Sequence, residues 1–159
     1  MKKPMLVAAV IAAGVATGEG FGVKSPDGTL EAKIDVGEKL VYSIEKSGQT
    51  IIAPSTLGFL YKGREALNAN WKVVSSEEKS ANEAWKCVVK NRHSEVDIAY
   101  NELTLDLGEV KAVFRAMDDA IAFRFILPAG ELASEETCFN VPYTARAWVA
   151  QYARDYTSS

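Results

Sequence analysis

The chain has 159 residues, of which 48% are apolar and 25% charged, and its formal net charge at pH 7 is −3. This length is enough for one modest hydrophobic core and not for two. The slight excess of acidic over basic residues argues against a nucleic-acid partner. Such a partner would require a clustered basic face, and the sequence contains no block of Lys and Arg.

The start of the chain is typical of an export signal. Two lysines precede an apolar run at residues 5–16, and the small residues at 16–18 make an acceptable signal-peptidase site. At about 1.5 Å of rise per residue the run is too short to span a bilayer. It also lacks the amphipathic stripe that would favour the alternative, a buried N-terminal helix. We therefore expect a signal peptide over residues 1–18, a mature domain over residues 19–159, and a periplasmic or secreted protein with no membrane partner.

The sequence contains two cysteines, Cys87 and Cys138, and is compatible with more than one state of their thiols. Neither follows the apolar run directly, so the sequence has no lipid-attachment site there. An exported protein can hold a disulfide, but the spacing of the two residues matches no signature. One disulfide across the fold and two buried free thiols are both compatible with the sequence.

Beyond residue 18 the apolar residues recur with a period of two, which indicates β-strands. Turn signals at residues 36–39 and 46–49 separate the first alternating runs. Strands spaced about ten residues apart and joined by Gly, Asn and Asp predict an all-β antiparallel sandwich or barrel. The predicted strands are residues 30–36, 40–44, 58–61, 71–75, 84–89, 95–100, 103–107, 110–116, 121–127 and 137–141.

Two stretches lack this alternation. Residues 77–83 are short and polar, and we predict a loop there. The glycine-rich stretch at residues 18–22 lacks the last glycine of the dinucleotide-binding pattern and has no strand before it. It is predicted to be a flexible cleavage region.

Two adjacent carboxylates, Asp118 and Asp119, stand between alternating runs in NELTLDLGEVKAVFRAMDDAIAFRF. An earlier turn in this stretch has Gly108 in the position that tolerates a positive φ. Asp side chains at a strand corner hydrogen-bond backbone N–H groups and hold the turn. A retaining glycosidase instead needs two carboxyls that converge from different segments, about 5–5.5 Å apart. We predict a structural role in the turn for both aspartates, and no catalytic residue in this chain.

Other polar candidates are predicted to have ordinary structural roles. His93 is the only histidine, so a histidine-rich metal site or a triad lacks partners, and a solvated loop position is expected. Arg115 and Arg124 alternate out of apolar strands. We expect them to pair with the corner aspartates or with a carboxylate on a neighbouring strand.

The aromatic residues are candidates for stacking on sugar rings, but Trp and Tyr are also common in the core and rim of sandwiches. Trp71 and Trp85 are predicted to pack in the core. For Trp148 both roles stay open, which makes it the one candidate substrate-binding residue.

The stretch NELTLDLGEVKAVFRAMDDAIAFRFILP (residues 101–128) resembles the N-terminal domain of glycoside hydrolase family 97, in which an NELT strand leads through an FRAYDDGVAFR hairpin. Collinear pieces extend the resemblance over essentially the whole mature chain: SPDG at 25–28, PSTLG at 54–58, NEAWK at 82–86, SEETCF at 134–139 and AW at 147–148. Two positions depart from the pattern. Ala120 replaces a glycine, so the corner must avoid a conformation that only glycine adopts, and Met117 replaces an aromatic residue.

The resemblance implies a periplasmic or secreted α-glucosidase or α-galactosidase of three parts. These are an N-terminal β-supersandwich, a central (β/α)8 barrel with the catalytic carboxylates, and a C-terminal β-domain. The chain would then be an incomplete supersandwich of the galactose-mutarotase-like kind. Its implied partners are the catalytic barrel, in cis or as a separate chain, and an α-linked oligosaccharide. A calcium ion at the domain junction is implied for the full-length enzyme, but no ligand of it is transferred to this chain.

Two other functions are compatible with the same fold. One is a free-standing periplasmic carbohydrate-binding protein. The other is an enzyme of the mutarotase kind, which a single loop histidine supports poorly because that chemistry needs a general acid and base. The choice between glucosides and galactosides, and between inversion and retention, depends on the barrel and is not determined by this sequence.

Overall fold

The computed structural model describes residues 18–63, 66–86 and 95–146. Within these ranges the chain forms strands and no helix. The strands are β1 (Glu19–Lys24), β2 (Leu30–Val36), β3 (Leu40–Lys46), β4 (Gln49–Leu57), β5 (Phe59–Tyr61), β6 (Ser75–Lys86), β7 (Glu95–Asp106), β8 (Lys111–Met117), β9 (Ile121–Ile126) and β10 (Leu132–Glu135).

The first sheet has the order β1-β2-β3-β4, and every pair in it is antiparallel. Alternate residues of β2 turn inward, and Ala32 and Ile34 are fully buried. The β3–β4 turn contains Ser47 and Gly48, both with positive φ (50° and 79°). Two positive φ values in a two-residue loop are the requirement of a hairpin whose twist matches its strands. The turn predicted at residues 46–49 is confirmed.

The second sheet has the order β6-β7-β8-β9 and is also antiparallel throughout. Its inner face carries Leu103 and Leu105 of β7 opposite Phe114 and Ala112 of β8, all buried. Gly108 begins the two-residue β7–β8 loop with a φ of 88°, which confirms the role predicted for this glycine.

The two four-stranded sheets face each other and enclose one core. Aromatic rings cross the interior, with centroids 5.2 Å apart for Tyr42 and Phe123 and 5.9 Å apart for Phe114 and Phe123. A two-stranded ribbon of β5 and β10 packs against this core, and the ring centroids of Phe59 and Phe125 are 4.8 Å apart. Tyr42, Phe59 and Phe114 are buried, and fully burying a side chain of this size contributes about 1.5–3 kcal/mol. The predicted all-β antiparallel sandwich is confirmed.

Two stretches predicted to be irregular are strands. The glycine-rich stretch belongs to β1, where Val23 is buried and all six residues pair with β2. Residues 77–83 lie inside β6, which pairs with β7 over twelve residues although nearly all of its own residues are exposed. A strand exposed on both faces has no apolar alternation, so a search based on period two does not find it.

Strand β4 was absent from the sequence-based prediction, and Pro54 lies within it. The register between β3 and β4 shifts next to this proline, and β4 is the last strand of its sheet. Bulges and edge strands are the places where a sheet tolerates proline.

Three other boundaries differ from the prediction. Residues 95–100 and 103–107 form one continuous strand, β7, and of residues 71–75 only Ser75 belongs to a strand. The last described strand is β10, and residues 137–141 follow it outside any strand, joined to Ala53 by a single bridge at Asn140.

Candidate functional site

The aspartate pair forms the two-residue loop of the β8–β9 hairpin. The Met117 N–H donates to the Ala120 carbonyl at 2.8 Å, which closes the loop around Asp118 and Asp119. Both aspartates are exposed. Ala120 is not among the described residues with positive φ, so the corner avoids the glycine-only conformation, as expected.

Asp118 joins this hairpin to a second one. Its Oδ1 accepts a hydrogen bond from the backbone N–H of Asp27 at 2.9 Å, and Asp27 lies 91 positions earlier, in the β1–β2 turn. This hydrogen bond therefore links one end of the first sheet to one end of the second sheet. Asp119 has no side-chain hydrogen bond within the described part of the chain.

The Asp27 carboxylate holds its own turn. It accepts from the Ser25 hydroxyl at 2.5 Å and from the Thr29 backbone N–H at 2.9 Å, and the Thr29 hydroxyl adds a further bond. The hydrogen bond from Ser25, followed by that from Thr29, lowers the pKa of Asp27 below its usual value. A carboxylate held ionised by turn hydrogen bonds is poorly suited to act as a proton donor near neutral pH.

A second polar cluster lies on the outer face of the second sheet. Arg115 on β8 donates from Nε and a terminal nitrogen to one oxygen of Glu102 on β7, at 3.0 and 2.7 Å. Its guanidinium lies 3.7 Å from the ring centroid of Tyr100, and the Tyr100 hydroxyl donates to Glu83 on β6. This hydrogen bond is the main cause of a raised pKa for Tyr100.

The structure can be compared with the pairing that was predicted for the two arginines. Arg115 pairs with a carboxylate of the adjacent strand, as expected, and so supports the sheet. Arg124, on β9, is exposed and forms no ion pair with any described residue. The two arginines flank a shallow cavity of about 180 Å³ that Glu102 and Val113 also line.

A broader depression of about 700 Å³ lies where residues 70–73 pass the β2–β3 turn. Trp71 lines it but is only 7% exposed, and its buried Nε1 has no hydrogen-bond partner among the described residues. The predicted core position of Trp71 is confirmed. That of Trp85 is wrong, because its side chain is 47% exposed near the end of β6.

The described residues contain no group of three or more His, Cys, Asp or Glu side chains close enough to hold a metal ion. The Cys138 thiol is free and lies 3.3 Å from Oδ1 of Asn140. Cys87, His93 and Trp148 lie outside the described residues, so the sugar-stacking role of Trp148 stays a prediction.

The sequence-based prediction missed the contacts that attach the segment after β10 to the edge of β4. Asn140 accepts from the Ala53 N–H at 2.8 Å, while its own N–H donates to the Ser55 hydroxyl at 2.9 Å. Its side-chain amide donates to the Pro54 carbonyl at 2.6 Å, and the Tyr42 hydroxyl donates to the Cys138 carbonyl at 2.8 Å. Pro54 was the one available signal, since a bulge at a proline frees backbone groups for another segment.

These sheets and turns define an all-β sandwich domain. A family model described as Glycosyl-hydrolase 97 N-terminal matches residues 23–159. The chain belongs to glycoside hydrolase family 97, in its N-terminal domain.

The named relatives are much longer than this chain. A probable retaining α-galactosidase of Streptomyces bingchenggensis is 26% identical over 137 residues, which is 82% of this chain and 21% of the relative. The retaining α-galactosidase of Bacteroides thetaiotaomicron is 35% identical over 107 residues, 67% of this chain and 16% of the relative. The chain thus spans about a fifth of the relatives' length.

Solved structures give the same proportion. A family 97 enzyme from Pseudoalteromonas sp. strain K8, in complex with panose, superposes with a TM-score of 0.70 at 27% identity, over 77% of this chain and 20% of that one. A β-arabinopyranosidase has a TM-score of 0.68 at 26% identity, over 77% of this chain and 21% of that one.

No helix within the described ranges is long and apolar enough to cross a membrane.

Proposed function

We propose that this chain is the non-catalytic N-terminal β-sandwich portion of a family 97 α-glycoside hydrolase. It packs on a catalytic barrel supplied by further polypeptide and helps to shape the active site. The observation that carries the proposal is the match to the family's N-terminal domain in a chain that spans only about a fifth of the enzymes it resembles.

The polar groups of the structure support a non-catalytic role. Asp118 and Asp27 accept backbone hydrogen bonds in turns, and Glu102 is paired with Arg115. Each of these carboxylates already performs a structural task that protonation would weaken. The relatives named α-galactosidases point to α-galactosides as the first substrates to try, and the neighbour in complex with panose adds α-glucosides.

Export is part of the proposal. Strand β1 begins at Glu19, directly after the proposed cleavage site, and Val23 of this strand is buried in the core. Cleavage near residue 18 would leave β1 intact, so the mature protein keeps the whole first sheet. The calcium ion of the complete enzyme is proposed to be held by residues other than the described ones.

The experiment mixes this chain with the Bacteroides thetaiotaomicron enzyme from which the matching region has been deleted. We expect the two polypeptides to elute together in size-exclusion chromatography, while the chain alone hydrolyses neither nitrophenyl α-galactoside nor nitrophenyl α-glucoside. The proposal would be overturned if a folded chain binds maltooligosaccharides or galactosides by itself and ignores the remainder. That result would favour the free-standing carbohydrate-binding protein.

A further inference from the structure

The two four-stranded sheets are displaced sideways relative to each other. Strand β1 contacts β7 and β8, and β2 contacts β8 and β9. Since β9 is the last strand of its sheet, β3 and β4 extend past it on one flank. The inner face of the first sheet is therefore wider there than the sheet that covers it.

The residues on this flank are apolar and incompletely covered. Ile44 and Ile52, opposite each other on β3 and β4, pack against the core but are only partly buried. The same holds for Ile121 and Phe123 on β9. Phe139 lies beside Tyr42 and Phe123, with ring centroids 6.2 and 6.3 Å away, and remains 60% exposed. We call these five residues with partial cover the β9 flank: Ile44, Ile52, Ile121, Phe123 and Phe139.

The hydrogen-bonding pattern of β9 leaves its outer edge available. The Met117–Ala120 pair is hydrogen-bonded, and bonded and non-bonded pairs alternate in an antiparallel ladder. The backbone groups of Ala122 and Arg124 therefore point to β8, and those of Ile121, Phe123 and Phe125 point away from it. Within the described residues no strand pairs with this edge.

The opposite flank is different in chemistry. There β6 extends beyond β1. Almost all residues of β6 are exposed, and most of them are polar or charged. An edge strand with charged side chains resists the addition of another strand. Among the strands of the second sheet, β9 is the edge strand that combines an unpaired edge, within the described residues, with the apolar flank.

We propose that the open edge of β9 receives a β-strand from the rest of the family 97 polypeptide, and that this strand places apolar side chains on the β9 flank. The inference rests on the proposed function, because the occupant belongs to the four-fifths of the matched enzymes that this chain does not span. The added strand extends the second sheet and so fixes the position of the domain through backbone hydrogen bonds as well as apolar contact.

The test is amide hydrogen exchange in β9, at single-residue resolution, on two proteins. One is this chain alone. The other is a chimera in which residues 19–159 replace the matching region of the Bacteroides thetaiotaomicron enzyme. The amides of Ala122, Arg124 and Ile126, which bond to β8, are the internal control because they lie on the same strand.

In the chain alone we expect the amides of Ile121, Phe123 and Phe125 to exchange at least about tenfold faster than the control amides. In the chimera the two sets should be protected to a similar degree. An active chimera whose outward amides exchange as fast as in the chain alone overturns this inference and leaves the proposed function standing. An inactive chimera contradicts the proposed function. In that case the exchange of the outward amides is measured on this chain mixed with the enzyme that lacks the matching region.

A missing gain in protection in that mixture, with the control amides still protected, also overturns the inference. Protection of the outward amides that rises with the concentration of the chain alone but is missing from the chimera identifies a second copy as the occupant, and likewise contradicts the proposal.

Discussion

The two aspartates of the β8–β9 loop differ in what their side chains contact. Asp118 accepts the Asp27 N–H across the sandwich, whereas Asp119 forms no side-chain hydrogen bond with the described residues. We expect Asp118→Ala to lower the free energy of unfolding by about 1 kcal/mol, the usual net value of one hydrogen bond. Asp119→Ala is the matched control and should change it by less than about half of that. Urea unfolding of both variants measures the difference, and equal losses would contradict the specific role of Asp118.

The lowered pKa of Asp27 predicts a pH dependence with a definite sign. A carboxylate whose pKa is depressed in the folded state stabilises the fold at neutral pH, and this contribution is lost as the pH falls below its unfolded value of 3.8 toward the folded one. Asp27→Asn should therefore make the unfolding free energy less sensitive to acid between about pH 5 and pH 3. Asp119→Asn removes the same charge at an exposed corner without a side-chain hydrogen bond in the described residues, and it is the matched control. A steeper acid dependence in Asp27→Asn would show that the sign is wrong.

At the level of elements, the β4 edge depends on the segment after β10. Ser55 is fully buried, and its hydroxyl accepts the Asn140 N–H and donates to the Ala53 carbonyl. We expect Ser55→Ala to loosen the segment, because it leaves the Asn140 N–H without the hydroxyl that accepts its hydrogen bond. In a Cys87→Ser background, the Cys138 thiol should then react several-fold faster with a disulfide reagent, as local opening becomes more frequent.

The substitution Thr50→Ala on the same strand is the control for this experiment, because Thr50 is exposed and lies before the bulge. It should leave the reaction rate of Cys138 unchanged. Equal rates in Ser55→Ala and the unsubstituted protein would show that the segment is not held through Ser55.

The elements that sequence predicted well share an apolar face with period two. Strands β2, β3, β8 and β9 have such a face. The turns at Gly48 and Gly108 were predicted from their glycines, whose φ is positive. Strand β6 was predicted only in its last residues, 84–86, and the rest of it is exposed on both faces. Strand β4 was not predicted, and a proline lies at its bulge. In these two strands pairing with a neighbour, and not local pattern, determines the structure.

The candidate site follows the same rule. A turn role for the aspartates could be expected from adjacent residues, but the bond from Asp27 joins positions 91 apart and no local pattern encodes it. The sequence predicted that Arg115 would pair with a carboxylate. Only the strand register, which places Glu102 opposite Arg115, identifies that carboxylate.

At the scale of the whole molecule, the uncovered β9 flank predicts the behaviour of the isolated chain. Exposed strand edges beside apolar patches promote self-association. We expect the chain alone to be marginally stable and to dimerise, aggregate or bind a hydrophobic dye. The chimera should remain monodisperse under the same conditions. Analytical ultracentrifugation distinguishes these outcomes, and a sharply two-state, monodisperse monomer at high concentration would show that the chain is a complete domain.

The most direct measurement for the central claim is the hydrolysis of nitrophenyl α-galactoside by the chimera, compared with the Bacteroides thetaiotaomicron enzyme that lacks the matching region. If this chain is the N-terminal portion of a family 97 hydrolase, the deleted enzyme should lose its activity. Residues 19–159 should restore it, and Asp118→Ala in the chimera should lower thermal stability while leaving kcat unchanged. A folded chimera no more active than the deleted enzyme would contradict the account.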